Sequence, residues 1–178
     1  GHKLALSIDL GGMLVLAGNE AGLTAFMKQA KPQGQFPLRL HNHAAFHTVL
    51  QEPVARAAQD RFDPAMFAQP NIPMIDGRGT IWWPHATDTD ALYNYTLGDQ
   101  ITAPYNFAKA VTIAAREFAP DLFIVLGPGT TLGGAVAQSL IAAGWQGMSS
   151  KSDFQTRQSQ ATLLTAMGRT DQRHQVTT

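Results

Sequence analysis

The chain has 178 residues, enough for one domain with a buried core. Apolar residues make up 44% of it and charged residues 15%, and 13 basic residues balance 13 acidic ones. This balance argues against a nucleic-acid surface or a polybasic membrane patch. The absence of cysteine excludes disulfides and thiolate metal sites and is compatible with the cytoplasm. No apolar run approaches the roughly 20 residues of a membrane-spanning helix, so we expect a soluble globular protein.

The first 40 residues carry the alternating apolar pattern of β-strands. Alternation over residues 4–8 predicts one strand, and the apolar residues 13–17 predict a second strand that is joined to it as a hairpin. Asn19 is a candidate N-cap for a helix that ends before Pro32. Alternation over residues 36–40 predicts a third strand. Strand, strand, helix and strand are the last part of a βαββαβ small domain whose opening strand and helix are absent.

The middle of the chain predicts helices separated by short strands. Pro53 lies within a helical pattern, so we expect that helix either to begin late or to be kinked there. The predicted elements are helices over residues 44–62, 91–101 and 106–118 and short strands over residues 72–76 and 80–83.

The most apolar segment of the chain lies in its last third. Residues 122–126 form a continuous apolar run, which indicates a strand buried on both faces, as in a parallel sheet. A glycine-rich turn and a predicted helix over residues 132–143 follow it. From residue 148 the chain is polar apart from a short apolar cluster, so we expect a partly ordered surface extension there. The cluster consists of Leu163, Leu164 and Met167.

Three histidines, His41, His43 and His47, lie close together in the sequence. Neighbouring imidazoles can bind a metal, act as a base, or form local hydrogen bonds within a loop. A zinc site needs three or four ligands with supporting residues, and the nearest acidic residue is Glu52. The pattern therefore favours loop residues over metal ligands for His41 and His43.

The glycine-rich turn after the apolar strand is a second candidate site. Loops that join a strand to a helix N-terminus often bind phosphate. Gly127 and Gly129 are followed by Leu132, and Gly133 comes one position too late for a dinucleotide fingerprint. No second strand ending in an acidic residue follows at the expected distance. A tight structural turn and a nucleotide-binding loop both remain open interpretations.

A serine hydrolase-type site requires a nucleophile elbow of the form Gly-x-Ser-x-Gly. No serine of this chain has that environment, and Ser149 alone has one of the two glycines, Gly147. The other serines are Ser7, Ser139, Ser150, Ser152 and Ser159. A base is therefore available without a nucleophile in this sequence.

Four segments together resemble one family, the malonyl-CoA:acyl carrier protein transacylases and the acyltransferase domains of fatty-acid and polyketide synthases. The stretch FPLRLHNHAAFHTVLQEPVARA resembles the segment that carries the family's catalytic histidine. DQITAPYNFAKAV is similar to its Gln-x-x-x-Pro segment, and LFIVLGPGTTLGG to its strand and Gly-Pro-Gly turn. LSIDLGGMLVLAGNEAGLTAFMKQ is similar to the hairpin and helix of its small domain. The four keep the family's order and spacing from residue 4 to residue 143.

The resemblance implies an α/β fold class. The chain would contain part of an α/β hydrolase-like acyltransferase subdomain plus an incomplete ferredoxin-like (α+β) small subdomain. It assigns residues 1–40 to the incomplete small subdomain and residues 41–147 to the C-terminal part of the α/β subdomain. Residues 148–178 would then be a polar C-terminal extension.

The resemblance also implies roles for individual residues. His47 falls on the catalytic histidine, which is the base for a serine nucleophile. Gln100 falls on the glutamine whose backbone carbonyl holds that imidazole in its working tautomer. Phe46, Gly127 and Gly129 are the expected substrate-binding residues, and neither a metal nor a cofactor is expected. Phenylalanine just before the histidine goes with malonyl in the related polyketide acyltransferases.

In the family, the nucleophile elbow, the malonate-binding arginine and the oxyanion-hole segment all precede the small-domain hairpin. The chain therefore resembles the C-terminal part of such an enzyme. We expect an acyltransferase that moves malonyl from coenzyme A to the phosphopantetheine thiol of acyl carrier protein, with the missing N-terminal part of the enzyme as a partner. The chain alone would be inactive, and we expect it to bind neither nucleic acid nor membrane.

Two alternatives to the enzyme interpretation remain open. The chain could be a non-catalytic interaction module that keeps the acyltransferase scaffold and binds a carrier protein or a partner chain. It could also be a nucleotide-binding α/β domain that uses Gly127 and Gly129.

Overall fold

The computed structural model of the chain describes residues 1–40 and 44–177. The interpretation of His41 and His43 as loop residues concerns positions outside the described residues. The chain forms two compact units, and no helix among the described residues is long and apolar enough to cross a membrane. The first unit comprises residues 1–9, 14–77 and 81–105, and the second comprises residues 10–13, 78–80 and 106–178.

The first unit begins with the predicted hairpin and helix. Strand β1 (Leu4–Asp9) pairs antiparallel with β2 (Leu14–Gly18), with a register shift between Leu6 and Ile8. Helix α1 (Glu20–Gln29) follows, and the side chain of Asn19 accepts a hydrogen bond from the Gly22 N–H. This bond satisfies one of the donors that a helix N-terminus leaves free. The hairpin, the helix and its cap are therefore as predicted.

The predicted third strand over residues 36–40 is wrong. The segment contains one isolated bridge, between Gln33 and Phe36, and Leu38 and Leu40 are 62% and 53% exposed. Pro37 has no N–H to donate to a ladder, and no other strand among the described residues pairs with this segment. The alternating pattern in this segment therefore marks an open apolar surface instead of a paired strand.

Pro53 delays the next helix instead of kinking it. A 3-10 turn (Val49–Gln51) leads into α2 (Glu52–Arg61), and Pro53 occupies the first turn of this helix. A proline is tolerated there because the N–H that it lacks would have no partner within the helix. A second 3-10 turn (Pro64–Met66) comes after α2.

The second half of the first unit contains the predicted short strands and an irregular helix. Strand β3 (Met74–Ile75) pairs antiparallel with β4 (Ile81–Trp82). The helix predicted over residues 91–101 consists of three consecutive parts. They are α3 (Thr89–Asn94), a π-helix (Tyr95–Asp99) and α4 (Gln100–Thr102). Trp82, Leu92 and Tyr95 form a small buried cluster in this half.

Tyr105 ends the first unit. It belongs to a two-residue strand β5 (Tyr105–Asn106), which lies on the other side of β1 from β2.

The second unit is built around two parallel strands. It contains α5 (Phe107–Glu117), β6 (Phe123–Val125), α6 (Leu132–Ala142), a 3-10 turn (Trp145–Gly147), α7 (Lys151–Gln160), β7 (Leu164–Ala166) and α8 (Thr170–Arg173). Strands β6 and β7 pair with Phe123 opposite Leu164 and Val125 opposite Ala166. Parallel neighbours need a long crossover, and here α6 and α7 supply it. The buried core of this unit consists of Val111, Ala115, Val125, Val136, Leu140, Trp145, Met148, Leu163, Leu164 and Ala166.

The burial predicted for the strand over residues 122–126 is only half correct. Val125 is buried, but Ile124 is 46% exposed and Leu126 is 81% exposed. Ile124 and Leu126 lie on the same face of the chain, and the described residues leave that face partly uncovered. A parallel strand is covered on both faces only when helices pack on both sides of its sheet.

The predicted surface extension after residue 148 is also wrong, because part of it lies in the core. Leu163, Leu164 and Ala166 are buried, and Thr165 has no exposed surface. The polar residues around this strand bond to its backbone. The side chain of Gln158 accepts hydrogen bonds from the N–H groups of Leu163 and Leu164 and donates one to the Leu164 carbonyl. Gln172 likewise accepts from the Ala166 N–H.

We expect Gln158→Ala to lower the free energy of unfolding by about 1–3 kcal/mol, because it leaves backbone groups of a buried strand without partners. Gln155→Ala is the matched control, since Gln155 lies on the same helix and is exposed. It should change the stability by less than about 0.5 kcal/mol. Urea denaturation of the three chains measures both effects. Equal stabilities for the two variants would mean that Gln158 does not support β7.

Candidate active site around His47

His47 has an unusual backbone conformation for a residue with a side chain. Its φ is 58°, in the left-handed region that favours glycine. Such a conformation costs on the order of 1–3 kcal/mol and persists only where the surroundings enforce it. One enforcing contact is a hydrogen bond of 2.9 Å from the His47 N–H to the carbonyl of Ile101.

The half-buried imidazole of His47 is held by the neighbouring carbonyl. Its Nδ1 lies 2.5 Å from the backbone oxygen of Gln100. A carbonyl oxygen can only accept a hydrogen bond, so Nδ1 must carry the proton. In the neutral imidazole Nε2 then has a free lone pair and is able to accept a proton. The structure thus brings His47 and Gln100 together in the contact that the resemblance implies.

The carbonyls of Gln100 and Ile101 are available because a helix ends there. The last carbonyls of a helix have no N–H partner within it. The residue four positions after Gln100 is Pro104, which has no N–H, and Ala103 has already turned to an extended conformation with φ −111° and ψ 152°. The Gln-x-x-x-Pro spacing therefore has a direct physical meaning, since it leaves the Gln100 carbonyl free for the imidazole.

Tyr105 lies against the imidazole. The two ring centroids are 5.4 Å apart, with an angle of 50° between the planes. The tyrosine ring is also close to Gly77, where an added Cβ would be only 2.4 Å from Tyr105 Cδ2. Burial, and then the negative charge of Asp76, raise the pKa of the Tyr105 phenol, so the ring beside His47 is uncharged at neutral pH. Tyr105 was not among the residues expected at this site, and no pattern in the sequence singles it out.

Phe46 lies next to His47 and is 46% exposed. Its N–H donates a 2.8 Å hydrogen bond to the carbonyl of Ala44, and its own carbonyl accepts a 2.8 Å bond from the hydroxyl of Ser7. Two hydrogen bonds thus hold the backbone of Phe46. From the sequence, Ser7 was considered only as a possible nucleophile. Nothing in the sequence indicated that it belongs to this site.

Gly127 and Gly129 belong to the second unit. Their φ values of 108° and 73° require glycine, and they form the turn between β6 and α6. The turn also approaches Gly168 so closely that an added Cβ there would clash with the Gly129 carbonyl oxygen. The positive φ values and this close approach explain why a tight turn needs glycine at these two positions. Binding of a substrate or nucleotide by Gly127 and Gly129 stays a prediction.

Among residues 1–40 and 44–177, no group of three or more histidine, aspartate or glutamate side chains could hold a metal ion. His41 and His43 lie outside that range, so the three-histidine metal interpretation concerns residues that are not all described.

We expect Gly77→Ala to lower the free energy of unfolding by about 1–3 kcal/mol, because the new methyl group meets the ring of Tyr105. Gly134→Ala is the control, since the structure has open space around Gly134 in the interior of α6. Alanine should be neutral or slightly stabilising there. Urea denaturation measures the free energy of unfolding of each variant. The effect of Gly77→Ala is also measured in a Tyr105→Ala background. If its effect is just as large without the ring, Tyr105 is not the obstacle.

The fold of the chain is similar to that of a solved enzyme. It matches the crystal structure of a malonyl-CoA:ACP transacylase from Synechocystis sp. PCC 6803 with a TM-score of 0.68 and 16% sequence identity. The match covers 99% of this chain and 52% of the transacylase, so the chain spans about half the length of that enzyme. No family model matches the chain, and no curated protein matches it by sequence. The chain has a mixed α/β structure consistent with a partial acyltransferase-like fold.

Proposed function

We propose that the chain is the histidine-bearing part of an acyltransferase. The complete enzyme would move malonyl from coenzyme A to the phosphopantetheine thiol of acyl carrier protein, through an acyl-serine intermediate whose serine lies outside these residues. The single observation that carries this proposal is the contact between His47 Nδ1 and the Gln100 carbonyl, which leaves Nε2 as a base. The likeness in fold to a malonyl-CoA:ACP transacylase supports it.

The proposed chemistry uses His47 first as a base and then as an acid. Nε2 accepts the serine proton while the serine oxygen attacks the thioester carbonyl carbon. The carbon–sulfur bond then breaks, and the imidazolium gives its proton to the coenzyme A thiolate. In the second half, Nε2 takes the proton of the carrier-protein thiol, and the sulfur attacks the acyl-serine ester. The carbon–oxygen bond breaks, and the proton returns to the serine.

The subdomain assignments remain part of this proposal. Residues 1–40 would be an incomplete ferredoxin-like small subdomain, and residues 41–147 would belong to the α/β acyltransferase subdomain. Within residues 148–178, β7 would extend the sheet of that subdomain, because it pairs in parallel with β6.

Several exposed apolar side chains support the proposal that the chain binds a partner. Leu14 is 59% exposed, Leu38 62% and Leu40 53%, all in the first 40 residues. Where exposed apolar side chains form one patch, that surface often marks an interface. We assign it to the remaining part of the same enzyme. A non-catalytic interaction module that binds a carrier protein or a partner chain would use the same surface, and it is the second candidate.

Transfer of radiolabelled malonyl from malonyl-CoA to acyl carrier protein tests the proposal. The 178-residue chain alone should be inactive, because a base without a nucleophile has nothing to activate. With a polypeptide from the same source that carries the Gly-x-Ser-x-Gly elbow, transfer should appear. His47→Ala should then lower kcat roughly 10²- to 10⁴-fold, as expected for the loss of a general base.

His85→Ala is the control, because His85 also has a positive φ (61°) but does not belong to the proposed site. It should leave kcat unchanged. Efficient transfer by the His47→Ala protein would rule out His47 as the base. Binding of a partner without any transfer would favour the interaction module.

Phe46 is expected to bias the choice of acyl group toward malonyl over methylmalonyl. A phenyl ring beside the acyl group leaves little room for an α-methyl branch, and one methyl group in a pocket is worth about 1–3 kcal/mol of discrimination. Phe46→Ser should therefore narrow the ratio of the two kcat/KM values by roughly tenfold or more. Phe67→Ser, which removes a phenyl ring elsewhere in the first unit, is the control. An unchanged ratio in Phe46→Ser would mean that this ring does not contact the acyl group.

A further inference from the structure

The peptide group between Phe46 and His47 is bound at both of its polar ends. Its carbonyl oxygen, from Phe46, accepts the 2.8 Å hydrogen bond from Ser7 Oγ. Its N–H, from His47, donates the 2.9 Å bond to the Ile101 carbonyl. A planar peptide group bound at both ends cannot rotate freely. Because φ of His47 is measured from this plane, the two bonds together define the left-handed conformation of His47.

Ser7 reaches this carbonyl because of an irregularity in the hairpin. In the β1–β2 ladder Leu6 lies opposite Leu16, but Ile8 lies opposite Val15, so Ser7 is an extra residue without a cross-strand partner. A β-bulge of this kind redirects a side chain and is often found next to functional sites. Ser7 has no exposed surface, and its hydroxyl acts on a residue 39 positions away in the sequence.

We propose that Ser7 is a positioning residue for His47. Its hydroxyl holds the Phe46–His47 peptide group in the orientation that directs the imidazole Nδ1 toward the Gln100 carbonyl. The link from Ser7 to the imidazole runs through one peptide plane and requires no contact between the two side chains. Its consequence for catalysis rests on the proposed function, whereas its effect on the imidazole tautomer does not.

The geometry separates this role from a simple contribution to stability. Loss of the hydroxyl removes the Ser7 donor from the Phe46 carbonyl and weakens the restraint on that end of the peptide group. The strained φ of His47 can then relax, which turns the ring away from Gln100. Without that acceptor at Nδ1, the neutral imidazole returns toward the Nε2–H tautomer, which predominates for free histidine in water. A merely structural serine would not change the tautomer.

The experiment measures the tautomer of His47 by ¹⁵N NMR of the imidazole nitrogens in the 178-residue chain, with the resonances assigned by their loss in His47→Gln. In the unchanged chain at a pH where the ring is neutral, the Nδ1–H form should predominate. In Ser7→Ala the ratio of Nδ1–H to Nε2–H should fall roughly three- to tenfold, the factor that a typical net hydrogen bond corresponds to.

Ser139→Ala is a closely matched control. Ser139 is 1% exposed, and its hydroxyl also donates a 2.8 Å bond to a backbone carbonyl, that of Ala135. This bond lies within α6, so its loss should leave the His47 tautomer unchanged. If Ser7→Ala does not fold, Ser7→Cys keeps the packing and replaces the hydroxyl by a weaker donor, and it should show a smaller change in the same direction.

A His47 tautomer ratio that is unaltered in a folded Ser7→Ala or Ser7→Cys chain would overturn the proposal. In the complete transferase, Ser7→Ala should lower kcat roughly 10- to 100-fold with little change in KM, as expected for a misplaced catalytic group. The tautomer measurement and the kcat measurement test different claims, so one can fail while the other succeeds. A shifted tautomer without any transferase activity would support Ser7 as a positioning residue while contradicting the proposed function.

Discussion

The end of α4 is the constraint on which the candidate site depends. A helix that stops leaves carbonyl groups without donors, and here the carbonyls of Gln100 and Ile101 both turn to His47. The Gln100 carbonyl accepts from the imidazole, and the Ile101 carbonyl accepts from the backbone N–H of His47. The end of one helix therefore determines both the conformation and the tautomer of His47. The arrangement uses a neutral carbonyl where other histidine sites use a carboxylate. The hydrogen-bond acceptor that orients the imidazole is therefore neutral.

The π-helix before α4 belongs to the same constraint. π-helical turns are rare and occur frequently at functional sites, and this one precedes Gln100 directly. Thr102 donates from its hydroxyl to the Gly98 carbonyl, so an acceptor of the widened turn is satisfied by a side chain. The irregular backbone is thus stabilised locally, and α4 presents its last carbonyls to the loop that contains His47.

Several polar residues of the second unit have a structural role that the hydropathy of the sequence does not reveal. Gln158 and Gln172 bond to the backbone of β7, and Thr165 within the strand bonds to Gln175. An edge strand exposes unpaired backbone groups, and amide side chains are suited to cover them because they both donate and accept. Conversely, the first 40 residues leave apolar side chains exposed. In this protein, polarity in the sequence is therefore an unreliable guide to what lies inside.

Local patterns predicted most elements, because hairpin alternation, a helix cap at Asn19 and a proline in the first turn of α2 are properties of short segments. They failed for residues 36–40 and for β7, where the outcome depends on partners far away in the sequence. The resemblance to acyltransferases led to His47 and Gln100, and their contact is present in the structure, whereas their catalytic roles remain a proposal.

The sequence by itself determined that residue 104 could not donate a hydrogen bond to the Gln100 carbonyl, since Pro104 has no N–H. Only the tertiary structure decided that this carbonyl meets His47, that Tyr105 packs on the ring in the space left by Gly77, and that Ser7 holds the peptide group before His47. The physical reason is that these contacts join segments separated by 28 to 58 residues, across which no sequence periodicity extends.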